Sequence, residues 1–194
     1  PAIEAGDIEV RGAAGAGWMP ALCVLAGVAR SLGEGVVVWV GKRCRPHPCV
    51  LTGRCERGPG ESLLARSILV DAPDGPSRLW AMETALRSAC VVAVIGDACA
   101  MDIACTRRLQ LAAESTGTIA MLARPRAEAR VLSSATTRRL VIPEVGQGAD
   151  ARPRWRIELV RSRGTCGDAL MVTSRDRWCV EWDHGTGALV ALSG

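Results

Sequence analysis

The sequence predicts an α/β fold in which a mostly parallel sheet lies between two layers of helices and is extended by C-terminal antiparallel strands. Three observations carry this reading. Short, uniformly apolar runs alternate with amphipathic segments through the first two-thirds of the chain, the pattern of parallel strands covered on both faces and joined by helical crossovers. After Pro125 the runs alternate in polarity instead and are rich in β-branched residues, as antiparallel strands with one wet face are. At 194 residues and 48% hydrophobic, the chain is long enough for one well-buried core.

Taken in order, the apolar runs are Ile8 to Val10, Val36 to Val40, Ile68 to Val70, Val91 to Ile95 and Thr118 to Leu122. Each is too short for a buried helix and carries no alternation, so each is read as a buried strand. Between them, "MPALCVLAGVARSL", "PSRLWAMETALRS" and "MDIACTRRLQLAAES" repeat apolar residues at helical spacing. The second should bury Leu79, Met82 and Leu86 on one stripe. The third should turn Ile103, Leu109, Leu111 and Ala112 inward and Arg107, Arg108 and Glu114 outward. Beyond Pro125, "RRLVI", "RWRIELV" and "RWCVEW" read as an antiparallel meander at the sheet's far edge. The stretches Arg43 to Glu61 and Val145 to Pro153 read as mobile loops. The whole is expected to be one domain over 1–194, with a parallel core to residue 124 and a β extension over 125–194.

The formal net charge of +4 is too small to argue for nucleic acid or membrane from the total alone. The nine cysteines are odd in number, and Cys23, Cys90 and Cys179 sit within apolar runs, where a free thiol acts as a small hydrophobe. That usage fits a reducing cytoplasm. No apolar stretch reaches the roughly 18 residues of a membrane span, and no leader-like segment opens the chain. A cytoplasmic protein without membrane contact is therefore expected. The chain starts at Pro1 rather than Met, as a fragment or a processed form would.

The stretch "RGAAGAGWMP", Arg11 to Pro20, joins the first strand to the first helix. Gly12 and Gly17 have the spacing of a phosphate-binding loop, with Gly15 between them, but Trp18 and Met19 follow. A working loop places Lys and then Ser or Thr there, for the β- and γ-phosphates and for Mg²⁺. Trp18 and Met19 supply neither a cation nor a hard oxygen, and Pro20 removes a further N–H. The loop is therefore read as degenerate, with no bound cofactor and no catalytic residue. Asp97, at the end of "VIGDA", stands near the place of a metal-orienting acid or simply caps the turn after its strand.

Several ordered blocks carry a family resemblance. "LWAMETALRSACVVAVIGD", "MDIACTRRLQLAAESTGTIAMLARP", "SSATTRRLVI", "RPRWRIELVRSRG" and "WCVEWDH" resemble ImuA, the RecA-like accessory protein of a bacterial mutagenesis cassette. The resemblance runs from Arg11 to His184 and implies a RecA-like three-layer core. It further implies a role in damage-induced translesion synthesis beside ImuB, a catalytically inactive relative of the Y-family polymerases, and an error-prone replicative-type polymerase. RecA itself is a further candidate partner, and single-stranded DNA is a candidate on the arginines described below. The family is regarded as lacking a working phosphate loop, in agreement with Trp18 and Met19.

Between Arg124 and Arg163 ten arginines face four carboxylates, a local excess of +6. Alternation places Arg154, Arg156 and Glu158 on one strand face and Trp155, Ile157 and Leu159 on the other. Arg138, Arg139, Arg154, Arg156, Arg161 and Arg163 are the candidates for a partner or DNA surface, since the guanidinium fork suits phosphate and carboxylate alike. A patch interrupted by carboxylates favours a protein partner slightly over nucleic acid. Trp155 belongs to the core or to that surface.

The function expected is that of a non-enzymatic RecA-like adaptor of translesion synthesis, and two other functions compete with it. A DNA-dependent ATPase of the RecA type is opposed by the missing Lys and hydroxyl. A cell-division inhibitor of the SulA type, which binds a tubulin-like GTPase, is opposed by the "TRRLQLAAE" and "RPRW" blocks. Cys44, His47, Cys49 and Cys55 offer soft ligands in one loop, but their spacing matches no common zinc site, and no metal is expected. His184, in "EWDHGTG", reads as a turn residue.

Overall fold

The computed structural model describes residues 8–12, 18–52, 62–128, 130–144, 152–162, 177–183 and 188–192. Its parallel strands are β1 (Ile8–Gly12), β2 (Val36–Val40), β3 (Ser67–Val70), β4 (Val91–Asp97), β5 (Ile119–Pro125) and β6 (Thr137–Glu144). Antiparallel β7 (Arg154–Ser162), β8 (Arg177–Asp183) and β9 (Ala188–Leu192) extend the same sheet. The strand order is β3-β2-β4-β5-β1-β6-β7-β8-β9. The mixed α/β architecture expected from the sequence is present.

Helix α1 (Met19–Ser31) follows β1, and α2 (Pro48–Thr52) follows β2. Both lead outward toward β3 and pack on one face of the sheet with Trp39, Met121, Val141, Trp155 and Trp182. Helices α3 (Gly75–Leu86) and α4 (Ile103–Thr116) run in the opposite direction across the sheet and cover the other face, around Val38, Val94 and Leu122. Opposite directions of travel put right-handed crossovers on opposite faces. Asp74 and Asp102 cap α3 and α4, accepting from Ser77 N at 2.7 Å and Cys105 N at 2.8 Å. Gly117, at φ +74°, ends α4.

Four expectations are corrected. "RRLVI" does not open the antiparallel meander: as β6 it runs parallel to β1 and antiparallel only to β7. On α4 the buried residues are Thr106, Leu109, Ala112 and Ala113, while Ile103 and Leu111 are about half exposed. Leu111 lies two residues, about 200°, from Leu109, and Ile103 is the helix's first residue. The stretch from Arg43 is not simply a loop, since it carries α2, and Cys44, Val50 and Leu51 are buried. Strand β9, beyond "WCVEWDH", is a further addition to the expected meander. The Leu79 stripe holds, with Met82 and Leu86 fully buried and Leu79 packed against them.

Close packing of α3 on the sheet depends on Gly96 in β4, where a Cβ would fall 1.8 Å from Met82 Sδ. Gly96→Ala should therefore overpack the core and cost about 1–3 kcal/mol, which for a domain of this size lowers Tm by several degrees. Differential scanning calorimetry of the variant tests this; an unchanged Tm would mean that α3 does not pack this closely.

Candidate functional site

In a sheet of this kind ligands bind outside the carboxyl ends of the strands, at the crevice where neighbouring connections diverge. Here that point lies between β2, whose connection leads outward to β3, and β4, whose connection leads back to β5. Among the described residues, side chains of the turn after β4 and of α3 pack closely against the end of β2. Gly41, just past β2, has φ +105°, and a Cβ on it would lie 2.8 Å from Asp97 Cβ and 2.9 Å from Arg78 Cδ. Only glycine takes this backbone without strain.

Asp97 is 2% exposed, and its Oδ1 accepts from Cys99 N at 3.0 Å. That oxygen caps the turn after β4. The rest of that turn is held just as closely by side chains. Arg78 Nη2 donates to Cys99 O at 2.9 Å, and Arg124 Nη2 donates to Met101 O at 2.8 Å. Glu128 Oε1 accepts from Ala100 N at 2.9 Å and from the Cys99 thiol at 3.2 Å, while its Oε2 pairs with Arg124 Nη1 at 3.0 Å. Ala100 takes φ +61°, a left-handed conformation costly for a residue with a Cβ, and these bonds hold it there.

Gly12 ends β1, whereas Gly15 and Gly17 lie outside the described residues. Trp18 begins α1 with no capping side chain; it is half-buried against the core and carries the Arg43 guanidinium over its ring, 5.6 Å from the centroid. Arg43 also bonds the Cys99 side chain, and this bond first, with the nearby acids, raises its pKa. A cation therefore sits just past β2, but it is engaged by an indole and by the turn after β4. Met19 is exposed and Pro20 is buried at the start of the helix.

The arginine segment divides by burial. Arg154 pairs with Glu181 at 2.8 Å, and Arg156 bridges Glu144 and Glu158 at 3.0 Å each. Arg152 reaches Glu181 and Asp183 at 3.6 and 3.5 Å, and Arg177 reaches Glu158 at 3.5 Å. Arg154 stands opposite Glu181, and Glu158 opposite Arg177, in the β7–β8 register, so the strand face is a cross-strand ladder of opposite charges. These four arginines face four carboxylates, and the field they project is correspondingly small. Arg138 is buried and donates to Val131 O at 3.1 Å. Arg139 is half-buried, with its pKa lowered by desolvation. Arg161 reaches Ser133 O at 3.5 Å. Arg163 and His184 lie outside the described residues. Trp155 is 8% exposed and belongs to the core. Charge counting along the sequence missed Arg124, which is fully buried and holds the turn after β4; the signal was its place at the end of the apolar run Ile119 to Ala123.

In the cysteine loop, Cys44 is buried, while His47 Nδ1 lies 2.9 Å from Cys49 Sγ on the surface, and Cys55 lies outside the described residues. Among the described residues no three metal-ligating side chains cluster. No helix among them is long and apolar enough to cross a membrane. Compared with protein-family models and with curated proteins, the chain matches none.

Burial pushes the Cys23 thiol up to about 12 and raises that of Cys44 as well. A raised thiol pKa lowers the thiolate fraction at any pH below it, and the thiolate is the reactive form. In native protein at pH 8, iodoacetamide should label exposed Cys49 and Cys90 readily and reach Cys23 and Cys44 only on unfolding. Peptide mass mapping tests this; labelling of Cys44 at the rate of Cys90 would contradict the packing of the loop.

Proposed function

We propose that the chain is a non-enzymatic, RecA-like adaptor of damage-induced translesion synthesis in the cytoplasm. It works with an ImuB-like inactive polymerase homologue and an error-prone polymerase, with RecA as a further contact. The sequence at Trp18 and Met19 carries the non-enzymatic part of this reading, and the close packing at the ends of β2 and β4 supports it. Asp97 is spent on a backbone cap, Arg78 fills the gap opposite Gly41, and Arg43 stacks on Trp18. The order of the parallel strands, with the degenerate loop following β1 inside the sheet, supports the RecA-like reading.

The mutagenesis role rests on the sequence blocks, and three of them meet in space. Ser134 N donates to Thr106 Oγ1 at 3.1 Å, joining "SSATTRR" to the "TRRLQLAAE" helix, and Arg161 reaches Ser133 O from the "RPRW" strand. Neutralisation of the β7–β8 ladder favours a protein partner over single-stranded DNA, because DNA binding draws on unpaired cations.

Calorimetric titration with Mg²⁺ and a non-hydrolysable ATP analogue should show no saturable binding. Co-purification from cells exposed to a DNA-damaging agent should recover the inactive polymerase homologue. Micromolar, magnesium-dependent nucleotide binding would overturn this function in favour of a recombinase-type ATPase. Recovery of a tubulin-like GTPase in place of the polymerase homologue would overturn it in favour of a SulA-type inhibitor.

A further inference from the structure

Helix α2 lies against α1, and their contact brings two thiols together. Cys23 and Arg30 stand seven residues apart on α1, two turns along one face. Arg30 Nη2 donates to the carbonyl oxygen of Val50, the residue after Cys49 on α2. Helical side chains lean toward the N-terminus of their own helix, so an Arg30 that reaches Val50 places α2 beside the part of α1 that carries Cys23. Cys23, Val50 and Leu51 share one buried cluster, and Cα atoms of the two helices approach within 8 Å. Desolvation first, and then the nearby Cys49 sulfur, raise the pKa of Cys23.

The two thiols differ in setting. Cys23 is 3% exposed, whereas Cys49 is on the surface. His47 Nδ1 lies 2.9 Å from Cys49 Sγ and also accepts from Cys49 N at 3.3 Å. An imidazole nitrogen that accepts from an amide carries no proton, so the thiol is the donor and His47 the base beside it. Cys90 is exposed as well but lies at the amino end of β2, where its carbonyl accepts from Val36 N at 2.9 Å. His47 follows the carboxyl end of that strand.

We propose that Cys49 is a peroxide-reactive thiol, activated by His47 and resolved by Cys23, so that oxidation staples α1 to α2. His47 Nδ1 takes the Cys49 proton as the sulfur attacks the terminal oxygen of a hydroperoxide. The O–O bond breaks, the leaving alkoxide or hydroxide takes that proton from His47, and Cys49 is left as the sulfenic acid. The Cys23 sulfur then attacks the Cys49 sulfur, the S–O bond breaks, and the hydroxide leaves as water with the Cys23 proton. Two thiols and one hydroperoxide thus give one disulfide, one alcohol or water from the peroxide, and one further water. The second step is the slower, because a buried thiol offers little thiolate. A disulfide needs Cα atoms within about 7 Å, which a small shift of α2 on α1 supplies. A thiol reductant reverses the bond, and this chemistry is independent of the adaptor function.

The test exposes the freshly reduced full chain to hydrogen peroxide and reads the products by intact mass and non-reducing peptide mapping. Wild type should lose two hydrogens and yield a linked Cys23–Cys49 peptide that dithiothreitol removes. His47→Asn, whose amide oxygen can accept from Cys49 N but cannot take the thiol proton, should form that link at least about tenfold more slowly. In Cys23→Ala, dimedone should trap Cys49 as the sulfenic acid. Melting curves show whether this variant is folded, and if it is not, dimedone trapping in wild type ahead of the disulfide takes its place. Oxidation of Cys49 no faster than that of Cys90, or linkage of Cys49 to any other thiol within or between chains, overturns the proposal. So does formation of the link at the wild-type rate in His47→Asn.

Discussion

The guanidinium of Arg124, fully buried at the end of β5, holds the connection between β4 and α4 in place. It donates to Met101 O and pairs with Glu128, whose other oxygen accepts from Ala100 N. Removing one partner of a buried pair leaves an uncompensated charge, at a cost on the order of 3–5 kcal/mol. The pair also does something an apolar replacement could not do, because it satisfies backbone groups of a turn in which Ala100 is left-handed. With the turn fixed, Cys99 O is presented to Arg78, and the Cys99 side chain meets both Glu128 and Arg43.

From this lock follows the character of the strand ends. Arg43, held by Cys99, lies over Trp18, and Arg78, held by Cys99 O, fills the space beside Gly41. The described side chains at the ends of β2 and β4 thus engage one another. Trp18 contributes to this packing directly, because an indole stacked under a guanidinium leaves that cation engaged.

Much of this was legible in the sequence because burial leaves periodic marks. Helix α1 and strand β2 follow from uniform apolar runs of helix and strand length, and Met82 and Leu86 follow from helical spacing. The direction of β6 was not legible, since a half-buried edge of a parallel sheet shows the same mixed polarity as an antiparallel strand, and only its register with β1 separates the two. Helix α2 has five residues, too few for a periodic signal. Arg124 and Arg154 look alike in a charge count, yet one is locked in the interior and the other is paired on a surface ladder. The blocks that carry the family resemblance proved partly structural, since the Thr106 to Ser134 and Arg161 to Ser133 contacts tie helix α4 and strand β7 to the segment before β6.

Hydrogen exchange at the Cys99 and Ala100 amides, followed with and without Mg·ATP, tests the closed edge most directly. Both amides donate to buried or half-buried carboxylates and should exchange only through rare opening. The account predicts slow exchange at both, unchanged by nucleotide. Fast exchange in the free protein would contradict the lock, and protection gained only with Mg·ATP would show that the crevice is a nucleotide site after all.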